Sequence, residues 1–263
     1  MVIDDEPPPR VPTWPGPNES STTVLGRALR LARPVAVNVA VWNMGRRARS
    51  AGWGYLLNDL APEVALLQEA WPPPNTLRLG SVIHARAYDD HAWGSAVYVA
   101  GGQVKELPLP LEHRGWLVAV EIDLPGRSPL VAVSVHARIL DGWVRPNLDR
   151  AFDRLEPLLA DRSLVVGGDL NLSRNYDRVY RTTHHAGFLD GLEVRGFFNC
   201  FRMFHPDEQQ TFLGSQTRQP YQNDHVFVSC DLAERVIACD VVDRLNFEHL
   251  SDHSPLMLSL DLR

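Results

Sequence analysis

Asp169 and Asn171 stand two residues apart after the run Leu164-Val165-Val166-Gly167-Gly168, and the rest of the chain is organised around this stretch. A carboxylate and an amide at alternate positions of an extended chain point to the same side. There they can position a water and a phosphate oxygen together. The two glycines let the backbone turn tightly and let another group approach it closely. Gly, Asp and Asn are also the common turn formers, so the stretch taken alone reads equally as the end of a strand. Other polar residues follow apolar runs in the same way: Asn43, Glu69, His136, Asp224, and Asp252 with His253. Singly, each is ordinary as a turn residue, a solvated strand end, a satisfied core histidine or a helix cap. As a set, carboxylates, amides and imidazoles at the ends of apolar strands are what a site along one edge of a sheet sandwich requires.

The elements that must position these groups are mostly strands. Val35 to Trp42 is β-branched and nearly continuous, hence a strand covered on both faces and ending at Asn43. A helix is expected to run through Tyr55–Leu60, before a second buried strand, Val64–Leu67, that ends at Gln68-Glu69. Short strands are expected at 81–87, 94–99, 116–122 and 130–135, with turn signals at Gly101-Gly102 and Pro125-Gly126. Pro146 and Asn147 open a helix with Leu148, Phe152, Leu155 and Leu159 on one face, which Pro157 should kink. The strand 164–166 follows. Residues 173–200 look helical or mixed, and strands at 226–228, 236–242 and 256–260 close the chain. No repeat is visible in the sequence. The pattern predicts sheets packed as a sandwich with helices outside.

At 263 residues the chain can bury a real core without disulfide or structural metal. Its three cysteines, Cys200, Cys230 and Cys239, form no C-x-x-C pair, so zinc is not indicated and a reduced, cytoplasmic setting is expected. The acidic start, Met1 to Glu6, does not read as a secretory signal, and no apolar run has the length of a membrane span. Residues 1–33 are rich in Pro, Ser, Thr and acid and read as a flexible tail, with a short helix within 24–31; the globular domain is expected over 34–263. The net charge of −6 argues against binding nucleic acid by charge alone, though not against an enzyme that meets phosphates through metal ions. Lys105 is the only lysine. The arginine bias fits either phosphate recognition or a compositional bias of the genome, and composition does not separate them.

The chain resembles the endonuclease/exonuclease/phosphatase superfamily, which has the fold of pancreatic deoxyribonuclease. The matching segments are Val41-Trp42-Asn43, Leu67-Gln68-Glu69, Trp93-Gly94-Ser95-Ala96, Val133-Ser134-Val135-His136, Gly168-Asp169-Leu170-Asn171, Gln222-Asn223-Asp224-His225-Val226 and Leu250-Ser251-Asp252-His253-Ser254-Pro255. They occur in family order across residues 35–263. The resemblance implies a single α/β (α+β) domain, a four-layer sandwich of two mostly antiparallel β-sheets flanked by helices. It also implies metal-dependent phosphoester hydrolysis, with Mg²⁺ as cofactor or Mn²⁺ in its place. Glu69 is the implied metal ligand, with Asn43 beside it and Asp252 near. Asp169 would orient or deprotonate the attacking water. Asn171 would donate to a phosphate oxygen, and His253, its imidazole fixed by Asp224, would bind the phosphate or assist proton transfer. His136 would supply a second imidazole. Abasic-site endonucleases of the superfamily carry a tyrosine at the place of His136; a histidine resembles the deoxyribonuclease, sphingomyelinase, inositol-phosphatase and deadenylase branches. In the deoxyribonuclease pattern a glutamate near residue 90 partners that histidine. Here Asp89, Asp90, His91 and Trp93 stand there, with no obvious glutamate. His225 takes the place of a common tyrosine.

Arg46, Arg47 and Arg174 are candidates to bind substrate, with Trp53, Trp71, Trp143, Arg145 and Tyr176 around them. The function expected is hydrolysis of phosphodiesters, with DNA or RNA as leading substrate. A phosphatase or phosphodiesterase on a small molecule or lipid headgroup is the first alternative, and a catalytically inactive binding module the second. No protein partner is evident, and a monomer is expected.

Overall fold

The computed structural model describes residues 36–46, 49–74, 80–139, 144–214, 220–243, 247 and 249–263. The expected tail 1–33, the helix within 24–31, Arg47 and Trp143 lie outside the described residues. Every element below belongs to one unit, Ala36–Arg263.

Among the described residues, twelve strands make two six-stranded sheets. They are β1 Val37–Asn43, β2 Val64–Ala70, β3 Ser81–Arg86, β4 Gly94–Val99, β5 Gln103–Glu106, β6 Leu117–Asp123, β7 Leu130–His136, β8 Leu164–Asp169, β9 Phe197–Asn199, β10 Asp224–Ser229, β11 Val236–Val241 and β12 Leu256–Leu260. The sheet orders are β11-β12-β1-β2-β4-β3 and β5-β6-β7-β8-β10-β9. Each sheet is antiparallel except for one central pair, β1 with β2 and β7 with β8. The two sheets thus share a topology that no sequence repeat announces. The helices are α1 Arg49–Tyr55, α2 Arg145–Leu155, α3 Arg174–Tyr180, α4 His184–Val194 and α5 Cys230–Ala233. None of them is long and apolar enough to cross a membrane.

Alternation along the strands builds four layers. In β1, Val37, Val39 and Val41 pack with Val118, Val120, Val165 and Val226 between the sheets. Ala40 and Trp42 point the other way and meet Trp53 and Leu56 of the α1 region. In β7, Val131, Val133 and Val135 face Leu148, Phe152 and Leu155 of α2 and Phe188 and Leu192 of α4. The near-continuous apolar runs are therefore strands buried on both faces, as expected.

Several local expectations change. The strand after Leu164 does not turn at its glycines; it runs through both of them to Asp169. A Cβ on Gly168 would sit 1.8 Å from the Val135 carbonyl oxygen, so the glycine serves close approach of β7 and β8 rather than a turn. β2 continues past Glu69 to Ala70, with a register shift between Leu67 and Ala70. The helix opened by Pro146 ends at Leu155 and tightens into a 3₁₀ turn, Glu156–Ala160, because Pro157 removes a donor. Likewise α1 gives way to a π turn over Leu56–Leu60.

Candidate active site

Topology gathers the strand-end groups. Asn43 and His136 end β1 and β7, Asp169 ends β8, and Glu69 lies one residue from the end of β2. β10 and β12 run antiparallel to their neighbours, so Asp224 at the start of β10 and His253 before β12 reach the same edge. Register sets Asp169 opposite both His136 and Asp224. Asn43, Glu69, His136, Asp169, Asn171 and Asp252, with His253, line one cavity of about 620 Å³.

Asp169 is the hub. It is 3% exposed, and its Oδ2 accepts from Asn43 Nδ2 at 2.9 Å. Its Oδ1 accepts from the Asn171 N–H at 3.0 Å. That bond requires Asn171 to leave the extended region, and its φ is +51°, a conformation asparagine tolerates. The expectation that Asn171 continues the strand is corrected accordingly. The Nε2 atoms of His253 and His136 stand 3.8 and 3.9 Å from Asp169 Oδ2. Burial raises the Asp169 pKa, and the Asp224 charge adds to this against the pull of His253.

His253 is held by Asp224, whose Oδ2 lies 2.8 Å from Nδ1. A carboxylate at Nδ1 puts the proton there and aims Nε2 at the cavity. Burial works to lower the His253 pKa, but the Asp224 and Asp169 carboxylates outweigh it and push it up to about 10. The supporting bonds converge on the same loop. Thr211 Oγ1 accepts from the N–H groups of Asn223 and Asp224 at 3.0 and 3.1 Å. Thr211 O accepts from Ser254 N at 2.8 Å, and Ser251 Oγ donates to the Asn43 carbonyl at 2.7 Å. Phe212 packs on the His253 ring, 5.0 Å between centroids.

Glu69 has φ +49° at the bulge in β2, and a bulge of this kind re-aims a side chain. Behind it, Gln68 Nε2 donates to Ser134 Oγ and Ser134 Oγ donates to Leu67 O, both at 2.8 Å, tying the two sheets together. The Arg46 guanidinium grips Glu69 with two bonds, Nε to Oε2 at 2.6 Å and Nη2 to Oε1, and lies 3.9 Å over the Trp93 ring. His136 Nε2 stands 3.9 Å from Glu69 Oε1. Among the described residues no carboxylate fixes the other face of His136; its Nδ1 is buried and has no partner there, and the ring packs against Trp116 at 5.1 Å and Trp93 at 6.4 Å. Asp90 instead pairs with His91 at the surface. Burial holds the His136 pKa below the usual imidazole value.

Two sets of groups can meet a metal. Glu69, Asn43 and Asp252 present oxygen atoms to the shared cavity, and an all-oxygen set suits a hard cation such as Mg²⁺. Asn43 Oδ1 accepts from Gly45 N at 3.0 Å, which turns the amide oxygen toward that side. Asp169, Asp224 and His253 also offer ligand atoms within 4.8 Å of one another. The Asp224–His253 bond already engages two of these three, which fits a proton-handling dyad better than a cation cage.

The remaining candidates lie outside this cavity. Arg174 lines neither this cavity nor its neighbour; its Nη2 bonds Asp190 Oδ1 at 2.6 Å. Trp53 is core. His225 Nε2 donates to Leu172 O, 2.8 Å away, and the ring fills an interior slot beside Phe227. Arg145 and Tyr176 line a second cavity of about 620 Å³ that shares Asn171, Phe212 and Ile139 with the first. Sequence reasoning missed Trp116 as a wall of the site, because an isolated tryptophan before a strand carries no signal of its own. It also missed Ser134 and Ser251, whose roles depend on bonds between residues about 67 and 208 positions apart.

A sequence model of the Endonuclease/Exonuclease/phosphatase family matches residues 40–253. No curated protein matches the chain. Among solved structures, the chain is similar to a 3′ phosphatase from Neisseria bound to a product DNA hairpin, with 18% identity, TM-score 0.68 and coverage of 86% of this chain and 100% of that one. It is similar to an AP endonuclease from Archaeoglobus fulgidus at 19% identity, TM-score 0.66, covering 86% and 99%. It is also similar to the endonuclease domain of TRAS1, a telomere-specific non-LTR retrotransposon, at 19% identity, TM-score 0.65, covering 86% and 99%. At such identities the likeness is one of fold.

Proposed function

The chain belongs to the Endonuclease/Exonuclease/phosphatase family, and on that premise we propose that it is a divalent-cation-dependent hydrolase of phosphodiester bonds in nucleic acid. The observation that carries the reading is the convergence of the His253 and His136 Nε2 atoms on Asp169 Oδ2, beside the oxygens of Glu69, Asn43 and Asp252. Glu69, with Asn43 and Asp252, would hold the cation, Mg²⁺ or Mn²⁺, which when bound neutralises phosphate charge. Asp169 orients the attacking water and takes its proton, while Asn43 Nδ2 fixes the carboxylate's angle. Attack on phosphorus breaks the ester bond on the opposite side. The Asn171 amide and His253 Nε2 donate to the phosphate oxygens, whose charge grows in the transition state. Asp224 keeps the His253 ring in place by the bond at Nδ1. His136 Nε2 is the second imidazole donor.

The adjoining cavity supports a nucleoside on one side of the phosphate. Tyr176, His185, Phe212 and Tyr221 line it, none of its lining side chains among the described residues is a carboxylate, and its volume of about 620 Å³ is ample for a base and sugar. Flat rings of this kind stack on bases without regard to sequence. The test is cleavage of single- and double-stranded DNA, RNA and bis(p-nitrophenyl) phosphate, each with Mg²⁺, Mn²⁺ or chelator. Cation-dependent cleavage of a nucleic acid supports the reading. Cleavage of the small ester alone moves the substrate to a small molecule or headgroup, which the acidic charge of −6 also favours. No cleavage of any substrate by a folded, cation-binding protein overturns the reading.

A further inference from the structure

His136 presents Nε2 to the site and turns Nδ1 away from it, where that nitrogen is buried with no hydrogen-bond partner among the described residues. A second buried imidazole, His113, has an unmet nitrogen of its own, Nε2. Both rings are 7% exposed, and both line one small cavity of about 20 Å³ with Trp116 and Arg138. Such a space is large enough for one water, which requires roughly 10–15 Å³, and too small for a ligand. The backbone fixes the two residues in relation to each other. Trp116 N donates to His113 O at 2.9 Å, and His136 N donates to Trp116 O at 2.7 Å. Glu112 Oε1 lies 3.8 Å from His113 Nε2, beyond a direct bond but within the span of a bridging molecule.

We propose that His113 is a positioning residue for His136, acting through a single water held between His113 Nε2 and His136 Nδ1. The proposal rests on the reading of His136 as a phosphate-side donor. The water accepts from His113 Nε2–H and donates to His136 Nδ1, with its second hydrogen free for Glu112. A donor at Nδ1 leaves the His136 proton on Nε2, the nitrogen that faces Asp169 and Glu69. The relay thus fixes a tautomer as Asp224 does for His253, but the opposite one, because the water donates to Nδ1 where the carboxylate accepts from it. It also accounts for two buried nitrogens that would otherwise go unmatched, a rare arrangement in folded proteins.

The test uses the full chain in three forms: native, His113→Leu, which removes the nitrogen and keeps bulk, and His113→Gln, which keeps a polar end. Long-range ¹⁵N–¹H spectra of histidine-labelled protein report the tautomer of His136 with no substrate present. The expected result is the Nε2–H form in native and His113→Gln, and a mixture of tautomers in His113→Leu. A high-resolution crystal structure of the native protein should show the water in the cavity. In hydrolysis, His113→Leu should lose about tenfold in kcat at unchanged KM, and His113→Gln should recover most of it. One tautomer common to all three proteins, or a dry cavity, overturns the proposal. If His113→Leu does not fold, the crystal structure and the His113→Gln spectrum decide it. Because tautomer and water are read without turnover, an inactive enzyme with the expected spectra would refute the hydrolase reading and leave this one standing.

Discussion

Replacing Arg46 by glutamine should make the protein bind Mn²⁺ more tightly. Glu69 is the proposed first ligand of the cation, yet its carboxylate is gripped by the Arg46 guanidinium at both oxygens. A cation that takes Glu69 must break or share those bonds. The Arg46 side chain is 49% exposed and that of Glu69 14%, so the pair is half in water and its worth is discounted to about 1 kcal/mol. That energy corresponds to about fivefold in affinity. The Kd for Mn²⁺ should therefore fall about fivefold in Arg46→Gln, measured by paramagnetic resonance titration without substrate at low ionic strength. The difference should shrink in high salt, because a half-exposed pair is screened. Glu69→Gln should lose binding instead. An unchanged or weaker affinity in Arg46→Gln would refute the competition, and unchanged binding in Glu69→Gln would move the cation elsewhere.

Three other perturbations read other parts of the site and its frame. Asp224→Asn removes the charge that holds His253 at Nδ1, so kcat should fall by about 10²–10³ with the fold intact by circular dichroism; a loss under tenfold would contradict the dyad. Gly168→Ala places a methyl 1.8 Å from the Val135 carbonyl and 2.9 Å from Gln68 Nε2, so β7 and β8 must part. Urea unfolding should show a loss of more than about 3 kcal/mol, and a loss under 1 kcal/mol would show that the strands yield easily. Asp177 reports on acid stability. Burial works to raise its pKa, but the Ala186 N–H and the Thr182 hydroxyl outweigh burial and hold it below the usual carboxylate value. A depressed pKa stabilises the fold above the unfolded value and loses that contribution as pH falls through the folded one. Native protein should exceed Asp177→Asn by roughly 1–2 kcal/mol at neutral pH, with the gap closing below about pH 4; a gap independent of pH would refute the assignment.

The strands were legible because each central one is apolar on alternate or all positions, as in Val37 to Trp42 and Val131 to Val135, and because a polar residue marks each functional end. The sandwich follows from those runs, since each must be covered twice. Local backbone conformation was less legible. Nothing in the run Leu66 to Ala70 announces that Glu69 adopts φ +49°, and Gly167-Gly168 reads as a turn until the proximity of Val135 is known. Side-chain partners were the least legible. Arg174 follows Asn171 closely in sequence, yet it opens α3 and its guanidinium meets Asp190 on α4. Arg46, a candidate to bind substrate, lines the cavity, and its pairing there with Glu69 was not legible, since it depends on the β2 bulge. The missing glutamate near residue 90 was visible in the sequence. Its replacement by Trp93 and Trp116 around His136 was not, because it depends on two strands meeting.

The measurement that tests the central claim most directly is single-turnover phosphodiester hydrolysis by native protein and Asp169→Asn, with Mn²⁺ affinity and melting temperature determined on the same samples. Asparagine keeps the shape of Asp169 and can keep one of its two accepted bonds, from Asn43 or from Asn171, but takes no proton from water. The rate in the variant should be lower by about 10²–10⁴, with cation affinity little changed and the protein still folded at the assay temperature. A variant that cleaves within a few fold of native would show that Asp169 is not the group that handles the water, and the chemistry assigned to this strand edge would be wrong.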